Sequence, residues 1–566
     1  MSLQTAPYSV SDNGSGETHV NRNLRGADVV AKTLERLGCE RIFTLSGNHI
    51  MSIFDAVLET NIELVHVRHE AAAVHMADGW GRLTGRPGVA MVTGGPGHVN
   101  VIGALFTALA AESPMVLLSG HAATWELGRG GFQEIRQAEV AAPVTKASWT
   151  ATSAATLGQD LAKAVRIAME GRPGPVHVSL PSDLLDQELD ASVIAWPDRR
   201  TDAAAPDIAP AIADSVLAAI AAANKPIIFA PPQLSNVAGR SLLSKLEAVT
   251  NAPTVVLESP RGVSDAGLGA FPDVIRQVDL VVLLGKALDF TTRWASVPDY
   301  SPDVRVIAID PEAGLVERAL RETGERMILG CVADVKRAAA TLIARAASTK
   351  PRSREWLTQA RAAIDGRPAE WASVVSSTPG RLHPAELLRT LRPYVERNKD
   401  TVLICDGGEI GQWAQSMLPS HRRMVNGVSG AIGSGLSLAL SARYFEQKAP
   451  VFVVLGDGTI GFHLSEFETA VRRRLPFVAI IGNDACWNAE SQIQRRNYGE
   501  DRMHDCDLTP ARYDLVVAAL GGHGEFVERA EDLAGAIERA FDSGKPACIN
   551  VMIESIAAPN IRLAAK

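Results

Sequence analysis

The sequence lacks the marks of several large protein classes. Its six cysteines lie far apart, with no Cys-x-x-Cys pair: Cys39, Cys331, Cys405, Cys486, Cys506 and Cys548. This spacing argues against both a disulfide framework and a structural zinc site, and it is typical of a reducing compartment. No run of about 18 or more apolar residues occurs, so the sequence predicts no membrane-spanning helix.

Positive charge is also scarce. The net charge is −8 and the pI is near 6.0, whereas nucleic-acid-binding domains are usually basic, so no nucleic-acid partner is expected. Residues 1–24 are polar, rich in Ser, Asn and Gly, and have no apolar core of the kind found in a signal peptide. We expect them to form a flexible tail on a cytoplasmic protein.

Short apolar runs alternate with helix-like segments in three blocks. The first contains RIFTLSG, ELVHV, GVAMVTGG, PMVLLSG and GPVHVSL, the second KPIIFAP, APTVVLE, LVVLLG and VRVIAID, and the third TVLICDGG, PVFVVLGDG, PFVAIIGND and ACINVMI. Near-continuous apolarity with many β-branched residues favours parallel strands covered on both faces. The fold class is therefore predicted as α/β, with three doubly wound parallel-sheet domains over 25–190, 205–350 and 380–556, followed by a tail over 557–566.

Acidic residues stand at the ends of two predicted strands in the third block. Asp457 lies in a Gly-Asp-Gly turn after FVVL, and Asn483-Asp484 follows FVAII. Ligands of doubly wound sheets bind at the carboxyl ends of the strands. The segment after the first turn, TIGFHLSEFETAVRRR, is predicted to be one helix whose N-terminus can face a phosphate. A divalent cation such as Mg²⁺, which takes oxygen ligands, explains acids beside a phosphate.

This pair of turns resembles the signature of thiamine-diphosphate-dependent enzymes. The resemblance implies that the carboxylates of Asp457 and Asp484 and the carbonyl of Cys486 bind Mg²⁺, which anchors the diphosphate. One departure is Asn483-Asp484, where the family usually has Asn-Asn, and this GNDA variant resembles the lyase-like branch. The implied cofactor contacts are Gly408, Glu409, Ile410, Gly430, Ile432, Asp457, Gly458, Thr459, Asp484, Cys486, Trp487 and Asn488.

Further motifs extend the resemblance over nearly the whole chain. DGGEI (406–410) resembles the diphosphate-contacting loop. SGAIGSGL (429–436) resembles the aminopyrimidine loop, in which the carbonyl of Gly430 accepts from the 4′-amino group and Ile432 bends the cofactor. RHEAAAVHMADGWGRLTGRPGV places Glu70 where the family has the acid that binds the pyrimidine N1′. The three domains then correspond to pyrimidine-binding, middle and diphosphate-binding domains. The family builds each site from two subunits, which implies a homodimer or a homotetramer.

Five more residues are candidates for contact with substrate. GGFQEIRQ resembles the loop that places a Gln or Glu beside the reacting carbon, so Gln133 is the candidate there, with Glu134 next to it. Asn48 and His49 follow a strand and are candidates for hydrogen bonds to substrate, although His49 can equally be structural. Glu490 lies six residues after Asp484, at the offset of a catalytic Glu in pyruvate decarboxylases, and a carboxylate there suits general acid–base work.

The branch that the motifs resemble most is the 2-hydroxyacyl-CoA lyases, in particular bacterial lyases of short branched acyl groups such as 2-hydroxyisobutyryl-CoA. The implied reaction yields a ketone or aldehyde and formyl-CoA. Alternatives are an acetolactate synthase-like carboligase and an oxalyl-CoA decarboxylase. Candidate contacts to CoA, or to ADP as an effector in the middle domain, are Arg261, Lys286, Arg293, Arg562 and Lys566, because phosphates need basic groups. The tail that carries the last two is also a candidate active-site lid.

Other classes fit less well. A dinucleotide-dependent dehydrogenase needs G-x-G-x-x-G after an early strand, and the first block has no such fingerprint. A non-catalytic relative is disfavoured because Glu70 and Asp457 are both present. The basic run Arg472–Arg474 is expected to be a solvated helix face.

Overall fold

The computed structural model describes residues 23–197, 206–346 and 352–563. In the first range, the strands are β1 (Leu24–Arg25), β2 (Arg41–Thr44), β3 (Glu63–His66), β4 (Gly88–Val92), β5 (Met115–His121), β6 (Ala147–Thr150), β7 (Pro175–Pro181) and β8 (Glu188–Leu189). The helices are α1 (Gly26–Arg36), α2 (Met51–Ala56), α3 (Glu70–Thr84), α4 (Pro96–Val99), α5 (Ile102–Ala110), α6 (Gln137–Ala141), α7 (Leu157–Met169) and α8 (Ser182–Asp186).

The middle part contains five strands: β9 (Pro226–Ala230), β10 (Thr254–Val256), β11 (Leu280–Leu284), β12 (Arg305–Asp310) and β13 (Met327–Val332). Its helices are α9 (Pro210–Ala222), α10 (Val237–Thr250), α11 (Phe271–Ile275), α12 (Ala313–Thr323), α13 (Val335–Ala346) and α14 (Glu355–Asp365). Helix α14 lies beyond the range predicted for this domain, yet it packs on the sheet, where the indole of Trp356 donates to the carbonyl of Pro226 at 2.9 Å.

The last part contains β14 (Val402–Cys405), β15 (Arg422–Val425), β16 (Val451–Gly456), β17 (Val478–Asn483), β18 (His523–Val527) and β19 (Ala547–Met552). Its helices are α15 (Pro384–Glu396), α16 (Glu409–Met417), α17 (Gly435–Phe445), α18 (Asp457–Ile460), α19 (Glu466–Arg473), α20 (Asn488–Tyr498), α21 (Tyr513–Ala519) and α22 (Ala530–Asp542). Among the described residues, no helix is both long and apolar enough to cross a membrane.

The strands form three parallel sheets, which confirms the predicted fold class. The orders are β3-β2-β4-β5-β7-β6, β10-β9-β11-β12-β13 and β15-β14-β16-β17-β19-β18. The first and last sheets therefore share one strand order. In each sheet the strand order runs outward in opposite directions from one central pair of neighbouring strands. These pairs are β2 and β4, β9 and β11, and β14 and β16. Crevices for ligands open at such switch points. The short strands β1 and β8 pair separately and antiparallel.

One apolar core joins the first and last domains. It is built around helix α3 and helix α17, which pack face to face. Small side chains allow this close approach: a Cβ added at Gly79 of α3 would lie only 3.0 Å from side-chain atoms of Leu438 and Ser441 on α17. The two domains are thus fixed relative to each other within one chain.

Two expectations for the segment after the Gly-Asp-Gly turn are wrong. The segment is not one helix, because residues 461–465 separate α18 from α19; this break lets His463 bond the carbonyl of Gly433 at 2.7 Å. The basic run is also not a purely solvated face. Arg472 donates to the carbonyl of His66 at 2.8 Å and Arg473 donates to that of Leu64, because α19 packs beside strand β3 of the first domain.

Candidate active site

A cavity of about 200 Å³ opens at the switch point of the last sheet. It is lined by the loops after β14, β16 and β17, by the loop before α17, and by 259–261 of the middle domain. All twelve residues that the resemblance implied as cofactor contacts line this cavity: Gly408, Glu409, Ile410, Gly430, Ile432, Asp457, Gly458, Thr459, Asp484, Cys486, Trp487 and Asn488. These twelve residues extend from Gly408 to Asn488, which are 80 positions apart in the sequence, and the fold gathers them in one place.

Asp457 and Asp484 lie side by side at the bottom of this cavity. Asp457 is 2% exposed, and its Oδ2 has no hydrogen-bond partner. Burial, followed by the charge of Asp457, raises the pKa of Asp484 to about 7, and burial also raises the pKa of Asp457. Two adjacent carboxylates, one buried and one partly buried, with an unpartnered oxygen fit a divalent cation that accepts oxygen ligands. The residues present thus suit Mg²⁺.

Neighbouring residues fix the turn that carries Asp484. The Asn483 amide donates to the carbonyl of Ala511 and to Oδ1 of Asn550, both at 3.1 Å, and its own Oδ1 accepts from the N–H of Ala485 at 3.2 Å. Arg381 donates to the carbonyl of Asp484 at 3.3 Å. Asn483 therefore shapes the turn and leaves Asp484 to face the cavity. Sequence reasoning missed Asn550 and Arg381, because only the fold brings them to this turn.

Glycines bring the backbone close to the space that a diphosphate would occupy. Gly407 has φ of 90°, and Gly408 immediately precedes helix α16. At Gly458 a Cβ would lie 2.5 Å from the indole ring of Trp487, so only glycine fits beneath that ring. The N-termini of α16 and α20 both open on this cavity, where their free N–H groups favour an anion.

The loop over 429–436 is held from two sides. Gly430 has φ of 72° and Gly433 has φ of 99°, conformations that favour glycine. The ring of Phe462 packs so closely on Gly433 that a Cβ there would lie 2.6 Å from it, and His463 bonds the Gly433 carbonyl. Gly430 and Ile432 reach the cavity wall, as expected for an aminopyrimidine loop.

Glu409 and Glu490 stand nearer the mouth. Glu409 is 9% exposed; its carboxylate accepts from the N–H of Ala558 and lies 3.7 Å from the guanidinium of Arg261. Burial raises the pKa of Glu409. Glu490 is exposed in the first turn of α20, lines the same cavity and is close enough to Glu409 to raise its pKa further. Of the lining side chains, all in the described ranges, four are carboxylic and one is cationic.

The chain segment after β19 crosses this mouth. The Ala557 carbonyl accepts from the Trp413 indole at 3.0 Å. Beyond it, Ile561 is buried in the core of the middle domain, and Arg562 forms an ion pair with Asp273 at 3.2 Å. Residues 557–563 thus connect the last domain to the middle domain, and Lys566 lies outside the described residues.

Glu70 lies in the first domain, at the carboxyl edge of the first sheet. It is the first residue of α3, directly after β3, and its Oε2 accepts from the Asn100 amide at 2.9 Å. It does not line the cavity described above. The same is true of Asn48, His49, Gln133 and Glu134. Within one chain the candidate pyrimidine-side residues and the diphosphate-side residues therefore form two separate groups.

The loop that carries Gln133 and Glu134 is tightly built. Gln133 has φ of 57°, and its carbonyl lies so close to Gly95 that a Cβ there would approach it to 2.5 Å. Gly95 donates to Oε1 of the buried Gln137 at 2.8 Å. The Glu134 carboxylate accepts from three backbone N–H groups of its own loop, which lowers its pKa. The Glu134 carboxylate thus closes its own loop, and the place of Gln133 beside the reacting carbon stays a prediction.

His49 and Asn48 differ in their surroundings. His49 is buried, is hydrogen-bonded to Oγ1 of Thr93 at 3.1 Å and stacks near the exposed ring of Phe132, with burial lowering its pKa. Asn48 is exposed at the same edge of the sheet. The structure thus gives His49 a structural bond and leaves Asn48 accessible.

Two of the candidate phosphate contacts already bind carboxylates. Lys286 is 4% exposed and lies 2.7 Å from Asp289, and Arg562 is paired with Asp273 as described. Each of these two side chains thus has an acidic partner in the middle domain, and its contact with a phosphate stays a prediction. Arg293 is exposed, and Arg261 lines the cavity.

Another cation that binds acidic groups lies at the carboxyl ends of β11 and β12 in the middle sheet. Arg172 of the first domain donates to Glu112, to the Gly285 carbonyl at 2.7 Å and to Asp310 at 2.6 Å. These groups pair with one another at the carboxyl edge of the middle sheet, although Nε of Arg172 and Oε2 of Glu112 have no hydrogen-bond partner among the described residues. An ADP effector at this edge stays a prediction. They also tie the first domain to the middle domain.

Comparison with known proteins agrees with this arrangement. Residues 24–140 match the N-terminal and residues 406–551 the C-terminal TPP-binding domain of thiamine pyrophosphate enzymes. The acetolactate synthase large subunit IlvG of Mycobacterium tuberculosis is 32% identical over 96% of this chain and 99% of its own. The 2-hydroxyacyl-CoA lyase 2 of Danio rerio is 28% identical over 93% and 91%, and that of Homo sapiens 26% identical over 93% and 90%. The chain belongs to the thiamine-pyrophosphate-dependent enzymes.

Proposed function

We propose that this enzyme is a carbon–carbon lyase that uses thiamine diphosphate and Mg²⁺ to cleave a short branched 2-hydroxyacyl-CoA, such as 2-hydroxyisobutyryl-CoA, into a ketone or aldehyde and formyl-CoA. The observation that carries the proposal is the exposed Glu490 carboxylate at the mouth of a cavity whose bottom holds Asp457 and Asp484. A base at that place can take the proton of a 2-hydroxyl group, which this cleavage requires.

Each part of the cavity has a task in this scheme. Asp457, Asp484 and the Cys486 carbonyl would hold Mg²⁺, and the N-termini of α16 and α20 would face the diphosphate. Thiamine diphosphate supplies, when bound, the electron sink that no side chain provides. Arg261 at the mouth offers a charge for a CoA phosphate.

The separate position of Glu70 supports a site shared between two copies of the chain. Its carboxylate would hold the pyrimidine N1′ of a cofactor that is bound in the cavity of a second subunit, with Gln133 and Asn48 of the same sheet edge facing the substrate. The minimal active unit in this proposal is a homodimer, and a homotetramer would contain two such units.

An assay with several substrates tests the reaction. Purified protein with thiamine diphosphate and Mg²⁺ should convert 2-hydroxyisobutyryl-CoA into acetone and formyl-CoA, and the products should be absent without the cofactor. Acetolactate formed from pyruvate would instead establish the carboligase activity for which the mycobacterial relative is named. CO₂ formed from oxalyl-CoA would establish a decarboxylase. Either result without acyl-CoA cleavage would overturn the proposed substrate.

Glu490→Gln tests the role of the carboxylate. We expect kcat to fall at least about 100-fold, the usual range for loss of a general base, with cofactor affinity unchanged. Glu500→Gln is the matched control, because Glu500 is a nearby exposed acid that pairs with Arg495 outside the cavity lining. Equal kcat in wild type and Glu490→Gln would remove Glu490 from the reaction.

A further inference from the structure

A buried carboxylate lies beneath the meeting point of two loops of the cavity. Asp406 is 0% exposed and follows strand β14, directly before the loop over 407–410. Its oxygens accept from three backbone N–H groups: Gly407 at 2.6 Å, Gly433 at 3.1 Å and Gly435 at 2.5 Å. The last two belong to the loop before α17 and to its first residue, nearly 30 residues further along the chain.

The contacts of Asp406 are made with backbone alone. A side-chain carboxylate that is fully buried normally needs a cation, but here its hydrogen bonds all come from glycine N–H groups. Burial raises the pKa of Asp406 to about 6 even though these three bonds lower it. Such charge-assisted bonds are short and directional, and they fix the relative position of the two segments that they join.

These two segments are the ones that would grip opposite ends of the cofactor. The loop over 407–410, Gly430 and Ile432 all line the same cavity. In the proposed function the first would face the diphosphate and the other two the pyrimidine. The Asp406 side chain also packs closely against Gly435, because a Cβ at Gly435 would lie 2.9 Å from both Cβ and Oδ2 of Asp406. The position of the Asp406 carboxylate is therefore fixed by contacts on both sides.

We infer that Asp406 is a positioning residue that sets the distance between the diphosphate loop and the aminopyrimidine loop, and so holds the empty cavity in the shape that the cofactor fits. Asp406 touches neither cofactor nor substrate in this scheme. The inference rests on the cofactor part of the proposed function and does not depend on the identity of the acyl-CoA.

Asp406→Asn tests the inference with little change in size. An amide offers one acceptor oxygen, and its NH₂ group would face an N–H donor of Gly433 or Gly435. We expect the Kd for thiamine diphosphate, with Mg²⁺ present, to rise at least about tenfold, the equivalent of one charge-assisted bond. The readout is quenching of tryptophan fluorescence, since Trp413 and Trp487 line the cavity. Activity should return in large part at saturating cofactor.

Glu446→Gln is the matched control. Glu446 is also a carboxylate of the last domain that accepts backbone N–H groups, those of Lys448 and Ala449 at 2.9 Å, but it is outside the cavity lining. The Kd of the Glu446→Gln protein for thiamine diphosphate should equal that of wild type. If Asp406→Asn does not fold, Gly435→Ala displaces the same carboxylate from the opposite side and should weaken cofactor binding in the same way.

The outcomes separate this inference from the proposed function. An unchanged Kd in a folded Asp406→Asn or Gly435→Ala protein, with only a lower Tm, would overturn the positioning role and leave the proposed function standing. Wild-type protein whose fluorescence does not respond to thiamine diphosphate and Mg²⁺ would overturn both. Faster hydrogen exchange of the peptide that covers 429–436 in Asp406→Asn, with other peptides unchanged, would support the inference.

Discussion

At the scale of single residues, the chemistry of the cavity depends on how close two acids are placed. Asp457 and Asp484 stand at the ends of neighbouring strands β16 and β17, so backbone geometry alone brings them together. Their closeness and burial disfavour the doubly ionised state. A divalent cation reverses that preference, which makes metal binding and proton release two aspects of one equilibrium.

This coupling predicts a pH-dependent effect of Mg²⁺ on stability. The pKa of Asp484 is raised in the folded protein from 3.8 to about 7, so without metal its contribution to stability is present at low pH and is lost as the pH rises through about 7. In the proposed function Mg²⁺ would bind the ionised pair. It should therefore raise Tm more at about pH 8 than at about pH 5.5.

Asp457→Asn should remove most of that rise in Tm at the higher pH, as followed by differential scanning fluorimetry with and without Mg²⁺. Asp542→Asn, at an exposed acid at the end of α22, is the control and should respond like wild type. An equal response of Asp457→Asn and wild type to Mg²⁺ would contradict the assignment of Asp457 as a ligand.

How far the sequence predicts the site differs from residue to residue. Asp457 and Asp484 stand in a local pattern of strand and glycine turn that the sequence itself shows, whereas Gly430 was predicted from the family resemblance. The hydrogen bonds of Glu134 and the ion pair of Lys286 could not be predicted, because they depend on the three-dimensional loop or on a neighbouring acid. A sequence shows which residue type stands at a strand end, but not which hydrogen-bond donors the fold brings to it.

At the scale of secondary-structure elements, the segment over 557–563 joins two domains. It bonds Glu409 through Ala558, buries Ile561 in the middle domain and ends on Asp273, which accepts from the N–H of Leu563 at 2.8 Å. The sequence suggested a lid from the charges of this tail. In the structure the contacts of Ile561 and Asp273 hold the segment across the mouth, and a lid role remains a proposal.

Asp273→Asn should loosen this segment. The amide cannot pair with the Arg562 guanidinium, and it has one acceptor oxygen for two donors, so the bond after Arg562 should become more accessible to trypsin. Mass spectrometry of the intact chain during limited digestion would show earlier loss of the last four residues. Asp303→Asn, at an exposed acid of the same domain, serves as the control. Cleavage of both variants at one rate would show that Asp273 does not hold the tail.

Element order was the most predictable level of the fold. Apolar runs correctly marked the inner parallel strands, because buried strands need no alternation of polar residues. The edge strands β6, β13, β15 and β18 were not predicted, because they are less buried and have no continuous apolar run. The break between α18 and α19 was not predicted, since it depends on the bond from His463 to Gly433 of another loop. Helix α14 was missed for a similar reason, because its charged surface conceals the buried Trp356.

At the scale of the whole molecule, the first and last sheets share one strand order and pack through α3 and α17. Each sheet carries one half of the proposed site at its own switch point. Since the halves form separate groups in one chain, the proposed active site needs a second copy, and its activity should follow the assembly of two subunits.

Mixing two inactive variants tests that arrangement. Glu70→Gln lacks the pyrimidine-side acid, and Asp457→Asn lacks a metal ligand, so each protein alone should be inactive. In a mixed dimer one of the two sites combines an intact Glu70 with an intact Asp457. After unfolding and joint refolding, about a quarter of wild-type activity should appear, because half of the dimers are mixed and each has one good site. No activity in the mixture would place both halves within a single chain.

The excess of acids around the cavity has a consequence for the order of loading. Four carboxylates and one guanidinium line the described walls, so the diphosphate of the cofactor meets a repulsive field until a cation is present. In the proposed function metal and cofactor would therefore bind cooperatively, and each would raise the affinity for the other by the same factor, as thermodynamic linkage demands. The apparent affinity for thiamine diphosphate is then set by the concentration of free Mg²⁺ around the protein.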